Sequence, residues 1–515
     1  MPKLIPIKIA APQQTGLDAR LRIISASLRA LRTDKVKEHF ELADNNTLLK
    51  TTISLCPACL QHSEAAVFTA SGKVYKATRC ATDGLSHALL ENDQNFYYLS
   101  SKDMWGVAYA TERTDILAPF GETSCCGGGQ CGSSGDALQQ ADFTDQKHNK
   151  TCTVLVEITD ACNLACRVCY ADSKGDRLLP FSEFCAVIQD LIAIKAELDS
   201  VQITGGEATL HPDYWRMLDY LYRLPEIKKI YLPTNGIEFA KPGMAERLVP
   251  FREKTLVLLQ FDGEHAATNH ALRNAAPQTL RQRLLKTLER HGIAMQLTMT
   301  LARDVSEQEI AWVVRQGIAH RNVRLVALLP TFYSGRYNLE RDPLHRLTLS
   351  DAVKGVALGL SNCGQGAFQP IPCSHPNCGW AALFARRFGF FANISRFISV
   401  EAEKPRIAYK TLLNKGEIRS IVSAKGQSIV LRLLTSIGRL LIRPQDVFGI
   451  VVKPFMDVHS YDQDRISSCC HHTVDPAGNL LSFCEYNALK RNADAWAHLP
   501  QLAGHKRPPA TAPLL

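Results

Sequence analysis

The sequence predicts an α/β protein whose core is a partial (β/α)6 barrel of TIM-like design, with metal-binding extensions on its N-terminal and C-terminal sides. Short runs rich in β-branched residues alternate with longer helical runs between residues 153 and 335. Most of the 17 cysteines lie before or after that region. Parallel strands joined by right-handed helical crossovers either wind into an open sheet or curl into a barrel. Because six strands are fewer than the eight of a closed barrel, a side opening for a bulky substrate is expected.

The predicted strands are short and apolar, and the predicted helices have apolar residues at helical spacing. The strands are placed at 153–159, 201–204, 229–232, 255–261, 293–300 and 323–329. The helices are placed at 182–197, 211–224, 242–250, 278–291 and 306–319. Strand and helix therefore alternate through the whole region.

Composition divides the chain into five regions. We expect a basic amphipathic lead-in at 1–50, a Cys-rich metal-binding domain at 51–152, the core barrel at 153–335, a C-terminal metal and substrate region at 336–490, and a flexible tail at 491–515. The three regions between the lead-in and the tail agree with the three or four units that 515 residues predict at about 150 residues a domain.

The composition is that of an ordinary globular protein. Hydrophobic residues make up 46% and charged residues 21% of the chain, which excludes a disordered or low-complexity protein. The most apolar stretch, 429–442, is interrupted by Arg432 and Arg439, and a membrane-spanning helix needs roughly 18 uninterrupted apolar residues. Pro6 and Lys8 interrupt the apolar residues that a secretion signal would need. We therefore expect a cytoplasmic protein with reduced or metal-bound cysteines.

Positive charge is concentrated in one segment. Between Arg386 and Arg443 there are twelve Lys or Arg residues and three acidic ones, a surplus equal to the net charge of +9 of the whole chain. The part from Ser428 to Arg443 also contains many leucines and isoleucines, a combination typical of a helix on an anionic membrane surface. Nucleic acid, a phosphorylated substrate and a solvated basic face are the alternatives. We expect a peripheral membrane contact and disfavour a nucleic-acid partner.

Three cysteines follow the first predicted strand at the spacing Cys-x3-Cys-x2-Cys. They are Cys162, Cys166 and Cys169, in the sequence VEITDACNLACRVCYA. Three thiolates on one loop can hold three irons of a [4Fe–4S] cluster and leave the fourth iron open. A zinc site is the alternative, but zinc requires four ligands and no fourth Cys or His lies nearby at a finger-like spacing.

Polar residues and glycines follow the next strands, at the edge where a parallel β/α barrel gathers its catalytic groups. Gly205, Gly206 and Glu207 follow the second strand, Asn235 the third and Asp262 the fourth. Ordinary turn chemistry also explains Asn235-Gly236 and Asp262-Gly263.

The cysteine loop together with Gly-Gly-Glu resembles the radical S-adenosylmethionine (SAM) superfamily. The resemblance implies that the three cysteines ligate a cluster whose open iron binds SAM, and that Gly205, Gly206 and Glu207 receive the methionyl amine of SAM. Asn235 and Asp262 complete the candidate cofactor-binding residues.

The remaining cysteines suggest further metal sites. Cys56-Pro57-Ala58-Cys59 and Cys80, with Asp83 or His87 as fourth ligand, are typical of a knuckle that holds one iron or zinc ion. Other candidate ligands are Cys126, Cys131 and Cys152 before the barrel and Cys373, Cys378, Cys469, Cys470 and Cys484 after it. We expect auxiliary [4Fe–4S] clusters at these two groups.

These outer motifs narrow the resemblance. CPAC, LLQFDG, PCSHPNC and the ending YD-x2-R, CC and FC-x-YN together resemble the tetraether lipid synthase group over residues 50–490. That resemblance implies coupling of saturated lipid carbons, with auxiliary clusters and a rubredoxin-like iron, and relatives include radical methyltransferases that act on pterins.

The sequence thus predicts a radical SAM enzyme whose 5′-deoxyadenosyl radical abstracts hydrogen from an unactivated sp3 carbon, for carbon–carbon bond formation on a lipid chain. An external donor such as a flavodoxin or ferredoxin would supply the electron. The alternative enzyme is a radical SAM methyltransferase that acts on a pterin or similar heterocycle. The non-enzymatic alternative is an iron–sulfur or zinc module whose basic segment binds nucleic acid.

Overall fold

A computed structural model describes most of the predicted core and parts of both extensions. The described residues are 16–97, 151–171, 175–360, 363–371, 375–387, 390–395, 443–467, 469–474, 480–491 and 499–501. They form two sheets, one small and antiparallel and one large and mostly parallel.

The small sheet belongs to the N-terminal part of the chain. Its strands are β1 (Thr47–Leu55), β2 (His62–Ala70), β3 (Lys73–Cys80) and β4 (Gly84–Glu91), each antiparallel to the next. Two helices precede them, α1 (Gly16–Ala30) and α2 (Thr33–His39). Leu21, Leu28 and Phe40 of this lead-in pack with Ile53 and Phe68 of the sheet in one apolar cluster. The amphipathic pattern of the lead-in is explained by this packing.

The large sheet contains the six predicted strands in chain order, all parallel. They are β5 (Thr153–Thr159), β6 (Leu198–Gly205), β7 (Ile227–Thr234), β8 (Thr255–Gln260), β9 (Met295–Leu301) and β10 (Val323–Pro330). The helices between them are α3 (Phe181–Lys195), α4 (Tyr214–Arg223), α5 (Ala266–Arg273), α6 (Gln278–Arg290) and α7 (Ile310–Ala319). The predicted fold class, an α/β fold with the parallel sheet of a partial barrel and a cysteine-bearing N-terminal unit, is confirmed.

Two local differences from the predicted elements have physical reasons. The helix predicted at 242–250 is a short 3-10 helix, Glu246–Phe251, that contains Pro250. Proline lacks the N–H that an α-helix requires in its interior, so the tighter turn replaces a regular helix. Helix α5 was not predicted, since a run of eight residues is too short to show clear periodicity.

The large sheet extends beyond the predicted strands on both edges. Beyond β10, helix α8 (Leu349–Gly359) leads to β11 (Gln369–Pro370), β12 (Trp380–Arg387), β13 (Phe390–Asn393) and β14 (Val447–Val452). Strand β14 pairs parallel to β10 and antiparallel to β12. After helix α9 (Gln463–Ser467), β15 (His471–Val474) pairs parallel to β5, and β16 (Leu480–Ser482) pairs antiparallel to β15. The C-terminal region therefore contacts both edges of the core.

The small sheet is attached to the C-terminal region through buried ion pairs. The ammonium group of Lys50 on β1 lies 2.9 Å from Asp462 and 2.7 Å from Asp464. On β3, burial lowers the pKa of Lys76 to about 7, and its ammonium group donates to the carbonyl of Tyr461 at 2.9 Å. Buried charges of this kind require partners, so the two regions are fixed against each other.

No helix among the described residues has the length and apolar character needed to cross a bilayer. The segment proposed to contact a membrane, 428–442, lies outside the described residues. Its membrane contact stays a prediction.

Candidate active site and metal centres

The Gly-Gly-Glu segment runs directly beside the start of the cysteine loop. The amide of Gly206 donates to the carbonyl of Thr159, and the amide of Glu207 to the carbonyl of Ala161, both at 2.8 Å. A Cβ on Gly205, which has φ +136°, would lie 2.0 Å from the carbonyl oxygen of Thr159, and one on Gly206 would lie 2.1 Å from that of Ala161. Both positions therefore require glycine, and the close approach places Glu207 next to the loop.

The carboxylate of Glu207 is buried and held on both oxygens. Its Oε1 accepts hydrogen bonds from Thr209 at 2.6 Å and Thr234 at 3.0 Å. Its Oε2 accepts one from the amide of Asn235 at 2.8 Å. Burial raises the pKa of Glu207, although these hydrogen bonds oppose the shift. A cationic amine beside it would favour the ionised form, which suits the predicted role toward SAM.

Asn235 connects Glu207 to the cysteine loop. Its side-chain amide donates to the side chain of Asn163, which follows Cys162, at 2.7 Å. Its backbone carbonyl accepts a hydrogen bond from the buried guanidinium of Arg281 at 3.0 Å. In this arrangement the asparagine positions the carboxylate and the loop relative to each other.

The three cysteines of the loop lie on one apolar surface. Leu164, Cys166 and Ala275 form a buried cluster against which Cys162 and Cys169 pack. The sulfur of Cys162 accepts a hydrogen bond from the amide of Leu164 at 3.4 Å. Burial raises the pKa of Cys162 and of Cys166, so ionisation of these thiols needs a compensating positive charge such as iron. A [4Fe–4S] cluster fits this donor set and its water-poor surroundings.

The loop is held from the opposite side by residues that follow β10. The amide of Arg336 donates to the carbonyl of Cys169 at 2.9 Å, and its Nε donates to the carbonyl of Cys166 at 3.1 Å. Sequence reasoning did not find Arg336, because more than 160 residues separate it from the cysteines.

Asp262 lies inside a buried network of charges. Its oxygens accept hydrogen bonds from Arg273 at 2.7 and 2.8 Å, from Arg281 at 3.2 Å and from the amide of Thr300 at 3.1 Å. Burial opposes ionisation, but the two guanidinium groups lower the pKa of Asp262 overall. Its lone pairs are occupied by protein donors, so in this structure Asp262 orients Arg273 and Arg281. Its predicted contact with the cofactor stays a prediction.

Replacing Glu207 by Gln is expected to weaken SAM binding about tenfold or more, because a hydrogen bond to a charged group contributes about 1.5–3 kcal/mol. Isothermal calorimetry on the anaerobically reconstituted protein measures this directly. Glu183→Gln is the matched control, because Glu183 lies on α3 and is separated in sequence from the Gly-Gly-Glu segment. This variant should bind SAM like the wild type. Equal SAM affinity of the wild type and the Glu207 variant would contradict the assignment of the Gly-Gly-Glu segment to the amine of SAM.

The N-terminal knuckle forms a compact group of four ligand atoms. Cys56 and Cys59 flank the turn between β1 and β2, while Cys80 ends β3 and Asp83 precedes β4. Their ligand atoms lie within 4.8 Å of one another. The Sγ atoms of Cys59 and Cys80 are 3.6 Å apart, close to the edge of about 3.8 Å that a tetrahedral site with Zn–S bonds of 2.3 Å would have. The group can therefore hold one metal ion.

Asp83 is placed to provide a fourth ligand atom at this knuckle. Its Oδ2 lies 3.2 Å from the sulfur of Cys56 and 3.4 Å from that of Cys80. The other sequence candidate, His87, packs its ring against Phe68 instead. Of the two candidate fourth ligands, the structure favours the aspartate.

We expect the wild-type knuckle to bind one equivalent of zinc or iron and Asp83→Ala to bind it at least tenfold more weakly, since three ligands no longer complete the tetrahedron. Asp83→His should restore the affinity, because imidazole is also a zinc ligand. Competition with a chromogenic chelator gives the affinities, and Cys185→Ala is the control. Unchanged metal affinity of Asp83→Ala would contradict a ligand role.

Four cysteines of the C-terminal region lie close enough to influence one another, and three of them also accept hydrogen bonds from N–H groups. Burial, followed by the charges of Cys484, Cys470 and Cys378, raises the pKa of Cys469. The sulfur of Cys378 accepts a hydrogen bond from Arg465 at 3.4 Å, that of Cys484 from the amide of Met456 at 3.3 Å, and that of Cys469 from the amide of His471 at 3.4 Å. We refer to Cys378, Cys469 and Cys484 as the C-terminal centre.

Cys152 and Cys470 pack together with Ile371 in a separate small cluster. The amide of Cys152 donates to the carbonyl of Cys470 at 2.8 Å. This contact follows from the pairing of β15 with β5, which places the residues before the two strands side by side. The predicted ligands Cys126, Cys131 and Cys373 lie outside the described residues.

The fold and the cysteine loop define the class of the protein. Residues 156–316 match the family described as the Radical SAM superfamily. The chain is therefore a radical SAM enzyme, which implies a [4Fe–4S] cluster and SAM as cofactors.

Individual relatives differ in how much of the chain they match. The chain is 23% identical over 496 residues to the 7,8-dihydro-6-hydroxymethylpterin dimethyltransferase of Methanocaldococcus jannaschii, covering 86% of this chain and 94% of that protein. It is 30% identical over 149 residues to the subtilosin biosynthesis protein AlbA of Bacillus subtilis, covering 28% of this chain and 32% of that protein. Among solved structures, SuiB of Streptococcus suis has a TM-score of 0.35 and 16% identity, covering 55% of this chain and 64% of SuiB.

Proposed function

We propose that the protein is a radical SAM methyltransferase that acts on a pterin or a similar heterocycle. The observation that supports this proposal is the alignment with the archaeal pterin dimethyltransferase, which extends over 86% of the chain and thus well beyond the core at residues 156–316. The sequence motifs predict coupling of lipid chains, with this activity as the alternative. The alignment favours the second, since the name of that relative gives a pterin as its substrate.

The residues of the core have distinct parts in this proposal. Cys162, Cys166 and Cys169 would hold the cluster, and Glu207 would hold the amine of SAM. Bound by these residues, the cluster and SAM would supply the radical chemistry that removes hydrogen from a substrate carbon. The chain itself supplies orientation and excludes water.

An aromatic cluster packs against Tyr170, the residue that directly follows the last cysteine of the loop. The ring of Tyr170, next to Cys169, lies 5.8 Å from that of Phe332 and 5.4 Å from that of Phe483. Phe455 lies 4.5 Å from Phe483 and 5.6 Å from Phe332. Such packed rings would exclude water from the Tyr170 end of the loop, which would help to protect a reactive radical from side reactions.

The proposal includes auxiliary iron–sulfur clusters and an electron donor. The C-terminal centre offers three buried or half-buried sulfurs that accept N–H hydrogen bonds, and Cys152 and Cys470 are two further buried cysteines. A flavodoxin or ferredoxin is the class of protein that would deliver the electron.

The test is an anaerobic reaction of the reconstituted protein with SAM labelled on its methyl group, a chemical reductant and 7,8-dihydro-6-hydroxymethylpterin. Mass spectrometry should find S-adenosylhomocysteine, 5′-deoxyadenosine and a pterin that carries the labelled methyl group. A parallel reaction with vesicles of a saturated phospholipid is the comparison. Deoxyadenosine without S-adenosylhomocysteine, together with coupled lipid chains, would overturn the methyltransferase proposal in favour of the lipid activity.

A further inference from the structure

Arg465 on helix α9 points its guanidinium at the C-terminal centre. Its Nε lies 3.4 Å from the sulfur of Cys378, and its terminal NH2 group donates to the carbonyl of Pro454 at 2.9 Å. Among the described residues, the structure shows no ion pair between Arg465 and a carboxylate. Its hydrogen-bond acceptors are therefore a backbone carbonyl and a cysteine sulfur, while the carboxylate of Asp462, whose charge also acts on Arg465, is paired with Lys50 at 2.9 Å.

A guanidinium withdrawn from bulk water requires a compensating negative charge. A neutral thiol is a weak acceptor and does not supply that charge, whereas a thiolate bound to a metal cluster does. The other two sulfurs of the centre accept hydrogen bonds from the amides of Met456 and His471. All three sulfurs thus accept an N–H hydrogen bond, which is an arrangement that stabilises metal-bound thiolates, and the thiol of Cys469 also donates to the carbonyl of His471 at 3.2 Å.

We propose that Arg465 is a positioning residue for the C-terminal centre, where it balances the charge of the thiolates and raises the reduction potential of the cluster they bind. This inference rests on the proposed auxiliary cluster at Cys378, Cys469 and Cys484. One-electron reduction adds a negative charge to the cluster, and a fixed positive charge at hydrogen-bond distance from one of its ligands stabilises the reduced form. Loss of that charge therefore moves the midpoint potential to a more negative value.

The experiment is a redox titration of the full chain, followed by electron paramagnetic resonance after anaerobic reconstitution. The signal of the C-terminal centre is identified as the one that Cys484→Ala removes. Arg465→Met should lower the midpoint of this signal by at least 59 mV, which corresponds to a tenfold change in the reduction equilibrium of a one-electron couple. Arg465→Lys keeps the charge and should change that equilibrium less than threefold.

Arg177→Met is the matched control, because Arg177 is also half-buried and donates to a backbone carbonyl, that of Leu499 at 2.8 Å. The midpoint potential of Arg177→Met should equal that of the wild type.

A wild-type midpoint in Arg465→Met would overturn the proposal. If Arg465→Met assembles no cluster, Arg465→Lys decides: assembly at a near-wild-type midpoint supports the role of the charge, and loss of the cluster in both variants overturns it. If Cys484→Ala removes no signal and no iron, the proposal that the C-terminal centre binds an auxiliary cluster is wrong, whatever the Arg465 variants show.

Discussion

Replacement of Cys162, Cys166 and Cys169 together by alanine will abolish the reductive cleavage of SAM while iron at the other centres remains. The three sulfurs follow β5 on one loop, and the loop adjoins the Gly-Gly-Glu segment through hydrogen bonds of 2.8 Å. Without thiolate ligands no cluster forms there, so no electron reaches SAM and no 5′-deoxyadenosine is made. Chromatography of the products after addition of a chemical reductant measures the rate, and iron and sulfide analysis measures the remaining clusters.

Cys185→Ala is the matched control for this triple variant. Cys185 lies on α3 at an intermediate exposure, and its sulfur neighbours Tyr220 rather than another cysteine. It should therefore retain wild-type rates. Deoxyadenosine at the wild-type rate in the triple variant would contradict the cluster assignment, and loss of all iron from it would mean that the other centres depend on the core cluster.

The core could be predicted because the local pattern of apolar residues identifies each of its strands and most of its helices. Strands β5 to β10 each start or end within a few residues of the predicted bounds, since continuous apolar runs between helical patterns are typical of a buried parallel sheet. Strand β15 could not be found in this way. It begins with His471 and His472, and it becomes a strand only because β5 offers a free edge. Pairing with a distant partner decides such a segment, and local propensity does not.

The candidate site was predictable where its residues are adjacent in sequence. The loop cysteines are recognised by their spacing, and the Gly-Gly-Glu segment by its three consecutive residues. The side chains that hold these motifs in place come from distant parts of the chain. Arg336 follows β10 and Arg273 ends α5, yet both reach the surroundings of Cys166. At the knuckle, spacing left Asp83 and His87 as alternatives, and only the hairpin geometry separates them. Contacts between distant segments depend on packing that no local pattern encodes.

The buried ion pairs around Asp262 predict a large loss of stability when its charge is removed. We expect Asp262→Asn to lower the free energy of unfolding by about 3–5 kcal/mol, the range for removal of one partner from a buried ion pair. Asn has the size of Asp but no charge, so Arg273 and Arg281, both at most 4% exposed, would lose the carboxylate that they share. Urea unfolding of the two proteins at neutral pH measures the difference.

The same network predicts how stability depends on pH. The pKa of Asp262 is lowered in the folded protein, so its contribution is fully present above the unfolded value of about 3.9. It is lost as the pH falls through the lower, folded value. The wild type should therefore lose more stability than Asp262→Asn when unfolding is repeated at progressively more acidic pH, and the two should converge.

Asp219→Asn is the matched control for this prediction. Asp219 pairs with Arg223 one turn along α4 at 2.8 Å, but the side chains of this pair are 42% and 76% exposed. Exposed helical pairs contribute about 0.3–0.5 kcal/mol, so that variant should unfold almost like the wild type. A loss below about 1 kcal/mol for Asp262→Asn would mean that Arg273 and Arg281 find other acceptors or solvent.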